Sequence, residues 1–160
     1  MIKRVADVVE LLQRGDVFFN IGGTEPEEVL GAFVKVLRLP KAIDRKLLAN
    51  ALIEREHLAT TAIGNGFAVP HPLQRLAIDQ QLAFIAIGYL ESPILWNSPD
   101  DKPVSTLILI VSSGAEQHLS VLSSLACIAD NPKFKQLIAK KPLKSSILEF
   151  FDSLKTCEPA

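Results

Sequence analysis

Two β-branched and largely apolar runs, residues 82–89 and 104–111, constrain this chain more than anything else in it. Neither alternates polar with apolar residues, as a strand with one wet face would, so both read as central strands buried on either side. The second closes at Ser112-Ser113-Gly114, a turn-forming cluster. Strands of that kind need helices to cover them, and helical periodicity occurs before, between and after the strand-like segments.

Val5, Val8, Val9 and Leu12 recur at helical spacing until Gly15, and the extended-looking Val17-Phe18-Phe19 follows. Thr24-Glu25-Pro26-Glu27 has capping-box spacing, and Val29, Leu30, Phe33 and Leu37 lie on one face of a helix that ends before Pro40. Asp44 can cap a further helix with Leu47, Leu48, Ala51 and Leu52 facing inward and Glu54-Arg55-Glu56-His57 at its C-terminal end. Ile63 and Phe67-Ala68-Val69 flank Gly64-Asn65-Gly66, a tight turn. Leu119, Leu122, Leu125, Ala126 and Ala129 trace a helical face up to Asn131-Pro132, with two shorter helices over 134–138 and 143–154. The expectation is one α/β sandwich: a single domain over residues 1–155, then a tail at 156–160.

Seventeen basic residues against eighteen acidic ones, with no basic stripe, argue against direct nucleic-acid binding. Cys127 and Cys157 suggest no disulfide framework and fit a reducing compartment. The apolar runs are too short to cross a bilayer and the N-terminus lacks a signal-peptide core, so the expected location is the cytoplasm without membrane insertion. Three histidines, no two at i, i+4, do not suggest zinc, and no strand–Gly-x-Ser-x-Gly–helix element suggests a hydrolase.

The densest chemistry lies between Arg55 and His71. An Arg55-Glu56 pair precedes Thr61-Ala62-Ile63-Gly64-Asn65-Gly66, and Ala68-Val69-Pro70-His71 follows. This string resembles the signature of phosphotransferase-system enzyme IIA domains of the fructose, mannitol and nitrogen-regulatory type. His118-Leu119 and the helix carrying Leu122-Ser123-Ser124-Leu125-Ala126 resemble a second element of that family. The resemblance runs over nearly the whole chain and implies a mixed sheet of about five strands flanked by helices on both faces.

It further implies that His71 accepts a phosphoryl group from the phosphohistidine of a small carrier resembling HPr. A neutral imidazole is a competent nucleophile near pH 7, and a hydrogen bond at one ring nitrogen fixes which other nitrogen is available. Arg55 would offer a fork of donors to the phosphate charge, and His118, near a helix start, would orient the group. Thr60, Thr61, Gly64, Asn65 and Gly66 would form a phosphate-binding loop. Transfer between two imidazoles requires no cofactor and no metal. For Arg55 a plainer role competes, that of a helix-end cation bonded to its own terminal carbonyls; for His118 it is a polar first-turn residue. His57 is read as structural.

Two positions depart from the family pattern. Ala62 stands where glycine is usual, and so does Pro72, which removes a backbone donor beside His71. The latter predicts slower transfer. Downstream of His71 two partners compete. The expected one is a regulatory protein that reads the phosphorylation state, as in the nitrogen-regulatory branch; the alternative is a fructose- or mannitol-type sugar permease. A third reading is a non-transferring sensor domain related to transcription regulators, although Met1 leaves no room before the first helix for a DNA-binding segment. The sequence does not indicate an oligomeric state.

Overall fold

The computed structural model describes residues 3–74, 76, 78–154 and 156–157. Its strands are β1 (Lys3–Arg4), β2 (Val17–Ile21), β3 (Ala62–Gly64), β4 (Phe67–Ala68), β5 (Phe84–Ile94), β6 (Val104–Val111) and β7 (Thr156–Cys157). Its helices are α1 (Val5–Arg14), α2 (Pro26–Val36), α3 (Arg45–Leu58), α4 (Ala115–Ala129), α5 (Pro132–Ala139) and α6 (Lys144–Ser153). Five strands form a mixed sheet in the order β2-β5-β6-β4-β3. The β2/β5 and β4/β6 pairs are parallel, whereas β5/β6 and β3/β4 are antiparallel. β1 and β7 pair antiparallel as a separate ladder, which takes the first two residues of the expected tail into a strand.

The two apolar runs are the central strands, as their composition requires. Along β6, Ile108 and Ile110 face one core while Leu107, Leu109 and Val111 face the other, the period of two written on a strand with no wet side. The first core gathers α1, α4, α5 and α6 through Val8, Leu12, Val121, Leu125, Phe134 and Ile147. The second gathers α2 and α3 through Val29, Leu30, Phe33, Leu48 and Leu52. Burying each such side chain contributes about 1.5–3 kcal/mol, so neither layer is dispensable. Tyr89 lies in the first core, where its hydroxyl donates to the Pro142 carbonyl at 2.7 Å. Trp96 lies in the second.

Gly15 ends α1 where a Cβ would fall 1.7 Å from the Ile85 carbonyl oxygen, so only glycine lets the chain turn this closely onto the sheet. Asp44 caps α3 as expected, accepting from the Leu47 amide at 3.0 Å. Other local expectations are corrected. No capping box forms at α2: Glu25 is the N-cap without a side-chain bond, and Thr24 instead donates to Glu28 at 3.0 Å. Leu47 is 63 % exposed, because the inner face of α3 runs through Leu48 and Leu52, with Ala49 and Ile53 packed beside them. On α4 the buried stripe is Val121, Ser124, Leu125, Ile128 and Ala129, so Leu119 is 64 % exposed and Ala126 faces solvent. The strand expected over 82–89 starts at Phe84 and runs to Ile94, after a 3-10 turn at Gln80–Leu82. Cys127 is held in a disulfide, against the expectation that the cysteines form no disulfide framework. Among the described residues no helix is long and apolar enough to cross a membrane.

Candidate functional site: a histidine pair at the sheet end

The β3–β4 hairpin turns through Gly64 (φ 90°), Asn65 (φ 59°) and Gly66 (φ 83°), three successive positive φ values that explain the Gly-Asn-Gly sequence. From there the chain climbs in extended form. Phe67 and Ala68 pair with Thr106 and Leu107, the Val69 amide donates to Thr61 at 2.9 Å, and the Pro70 carbonyl accepts from the Ile110 amide at 2.9 Å. His71 emerges where this pairing stops. Beside it β6 ends, passes through Ser112-Ser113-Gly114 and enters α4, whose first turn carries His118 with its amide bonded to the Gly114 carbonyl at 3.0 Å. The two imidazoles meet with ring centroids 4.8 Å apart at 62°.

His71 Nδ1 lies 2.8 Å from the Val69 carbonyl oxygen. A carbonyl only accepts, so Nδ1 carries the proton and, in the neutral ring, Nε2 carries the lone pair. Burial holds the His71 pKa below the usual imidazole value. The Val69 bond opposes that shift, the Arg55 cation reinforces it and the Glu56 carboxylate opposes it. The ring is therefore neutral near pH 7 with Nε2 as nucleophile. His118 Nδ1 lies 3.1 Å from Ser112 Oγ. When the hydroxyl donates, Nε2 of His118 bears the proton.

Arg55 donates through Nη1 to the Ala59 carbonyl at 2.8 Å, the helix-end role that competed with phosphate binding. Its charge also acts on His71, lowering the pKa of that imidazole. Thr60 Oγ1 donates to the Trp96 carbonyl at 2.6 Å, and Thr61 Oγ1 donates to Glu56 Oε2 at 2.5 Å. A hydroxyl has one proton, so neither retains a donor for phosphate.

The glycine turn is likewise not brought to His71. It lies at the opposite end of β4, roughly 15 Å or more away at about 3.3 Å per extended residue. Asn65 there bonds Asp100, Asp130 and Lys135. Of the five residues expected to form a phosphate-binding loop, Thr60 and Thr61 are bonded to Trp96 and Glu56, and Gly64, Asn65 and Gly66 form the hairpin turn.

Glu56 is the organising residue whose bonding the sequence did not reveal. Oε1 accepts from the Thr61 amide at 2.9 Å and from Trp96 Nε1 at 2.7 Å, while Oε2 takes the Thr61 hydroxyl. The signal available was a lone tryptophan, a residue whose N–H needs an acceptor when buried. Ser112, whose hydroxyl lies against His118 Nδ1, reads in the sequence only as part of the cluster that closes the strand. His57 lies 3.4 Å from Glu27 on the surface, consistent with a structural part. No group of three or more metal-ligating side chains occurs among the described residues.

An α/β sandwich presenting a half-buried histidine with one fixed tautomer, faced by a second histidine at a helix start, defines a class of small histidine-centred domains. Within that class the chain belongs to one family: "Phosphoenolpyruvate-dependent sugar phosphotransferase system, EIIA 2", whose family model matches residues 10–154. It is 27% identical over 148 residues to the fructose-specific EIIABC component of Bacillus subtilis, covering 91% of this chain but 23% of that protein. It is 26% identical over 144 residues to the nitrogen regulatory protein of Pseudomonas aeruginosa, covering 88% of this chain and 91% of that protein. The solved structure of the nitrogen regulatory protein IIA-Ntr of Neisseria meningitidis superposes with a TM-score of 0.75 at 23% identity, over 89% of this chain and 97% of that one.

Proposed function

We propose that this enzyme IIA-type domain carries a phosphoryl group on His71 Nε2 and signals its phosphorylation state to a protein partner, in the manner of the nitrogen-regulatory branch. The observation that carries the reading is the bond from Nδ1 to the Val69 carbonyl, which leaves one nitrogen as acceptor. The donor is the phosphohistidine of an HPr-like carrier. The Nε2 lone pair attacks phosphorus in line, and the P–N bond to the donor ring breaks with its electrons returning to the donor nitrogen. The phosphoryl oxygens then lie in the field of Arg55 and within reach of His118, which serves alignment and charge rather than covalent chemistry.

Support for the regulatory branch is the match to a nitrogen regulatory protein over 91% of that protein's length. The second reading, a component handing the group to a fructose- or mannitol-type permease, draws on the fructose-specific relative, of whose length this chain spans 23%. Incubation with phosphoenolpyruvate, the general enzyme of the system and an HPr-type carrier should add one phosphate by intact mass, labile in acid and stable in alkali. Absence of the adduct would overturn the reading. Sugar phosphate formed on adding fructose-permease membranes would favour the second reading over the first.

A further inference from the structure

Between the hairpin tip and the histidine pair, two rods of similar length lie against each other. From Gly66, where the turn ends, to His71 the extended chain spans roughly 17 Å at about 3.3 Å per residue, and helix from His118 to Asp130, at about 1.5 Å per residue, spans roughly 18 Å. The two meet at one end through the imidazole rings, 4.8 Å apart. Along their length Phe67 and Val69 share a core with Val121 and Leu125. At the other end they meet through Asn65: its Nδ2 donates to Asp130 Oδ1 at 2.8 Å, and Lys135 Nζ donates to its Oδ1 at 3.3 Å. A carboxylate faces the amide nitrogen and an ammonium faces the oxygen, so the carboxamide has one orientation.

The turn itself does not ask for that side chain. A residue at φ 59° is served at least as well by glycine, and glycines stand on both sides of it. What asparagine adds is lateral: a grip on the C-cap of α4 and on the first turn of α5. We propose that Asn65 is a positioning residue, whose carboxamide, held between Asp130 and Lys135, sets where the β3–β4 hairpin stands along α4 and so keeps His71 in register with His118. The importance of that register for transfer rests on the reading of His71 as phosphoryl acceptor; the register itself does not.

Asn65→Gly removes the carboxamide and keeps the backbone conformation. In the folded variant, checked by thermal melting, the His71 and His118 imidazole resonances should shift and the ring-to-ring NOE should weaken. Phosphorylation by the phosphorylated HPr-type carrier should slow about tenfold in kcat with KM unchanged, the cost of a sub-ångström to ångström displacement. Asp130→Ala should reproduce the effect by removing the other half of the grip, and the double variant should be no worse than either single one. Imidazole titrations and NOE identical to wild type in both folded variants would overturn the proposal, even if melting temperatures fell. If wild type takes no phosphate, the acceptor reading fails while the imidazole measurements still decide the register.

Discussion

The upper and lower ends of the β3–β4 hairpin are built from one contiguous stretch of sequence and do opposite things. At the lower end the backbone takes three positive φ values, and Asn65 is bonded through its amide to Asp100 and through its side chain to Asp130 and Lys135. Asp100 in turn accepts from Ser98 and from the Lys102 amide, and the Asn65 amide foremost holds its carboxyl pKa down at about 2. At the upper end the ladder stops at Pro70, and His71 follows half-buried with only Nδ1 bonded. One contiguous motif thus holds a side-chain-bonded turn and a histidine at the two ends of a strand.

The comparison is broken most severely at the upper end. His71→Ala should abolish phosphorylation, and a residual phosphate adduct in its intact mass would move the acceptor elsewhere. His118→Ala should stay folded and react at His71 roughly ten- to a hundredfold more slowly, the equivalent of one charge-assisted hydrogen bond of about 1.5–3 kcal/mol. Wild-type kinetics would reduce His118 to a surface residue. At the lower end, Gly66→Ala puts a Cβ at φ 83° and 3.3 Å from Ser105 Oγ, and should cost roughly 1–2 kcal/mol of stability in denaturant unfolding. Pro72→Gly restores a backbone donor beside His71 and should speed transfer by a smaller factor, read in a timed phosphorylation assay; an unchanged or slower rate would mean that the loop is adapted to proline.

The smallest effect is that of pH. Because the pKa of His71 is lower in the folded chain than in the unfolded one, the unfolded state binds more protons as pH falls below the usual imidazole value. Stability present above that value is therefore lost progressively as pH falls toward the folded pKa. His71→Gln should flatten this part of the pH profile of chemical unfolding.

Much of the fold was legible because burial on both sides of β5 and β6 leaves its mark directly on composition, as does the Asp44 cap. The inner faces of α3 and α4 were not, since Leu47 and Leu119 satisfy the helical period as well as Leu48 and Val121 do, and only the direction of packing selects among them. Both misassigned leucines lie at or near helix starts, where one face is left uncovered. In the site, the positions of His71 and His118 followed from local motif and helix start. The hydrogen-bond partners of Thr60, Thr61 and Asn65 did not, because a hydroxyl or carboxamide looks the same in sequence whatever distant residue, such as Trp96 or Asp130, it bonds.

Tyr89 and Trp96 are the chain's only tyrosine and only tryptophan, and they lie in different cores, one on each side of the sheet. Burial pushes the Tyr89 phenol well above its ordinary pKa, so its alkaline absorbance change is delayed until the first core opens to solvent. Trp96 is 2% exposed, and its fluorescence responds when the second core does. The molecule therefore contains two intrinsic optical probes, one for each layer. In denaturant at neutral pH, tyrosine difference absorbance and tryptophan emission follow the two layers separately. Coincident midpoints mark a sheet that gives way as one unit, whereas separated midpoints mark a layer that peels away while the strands still stand.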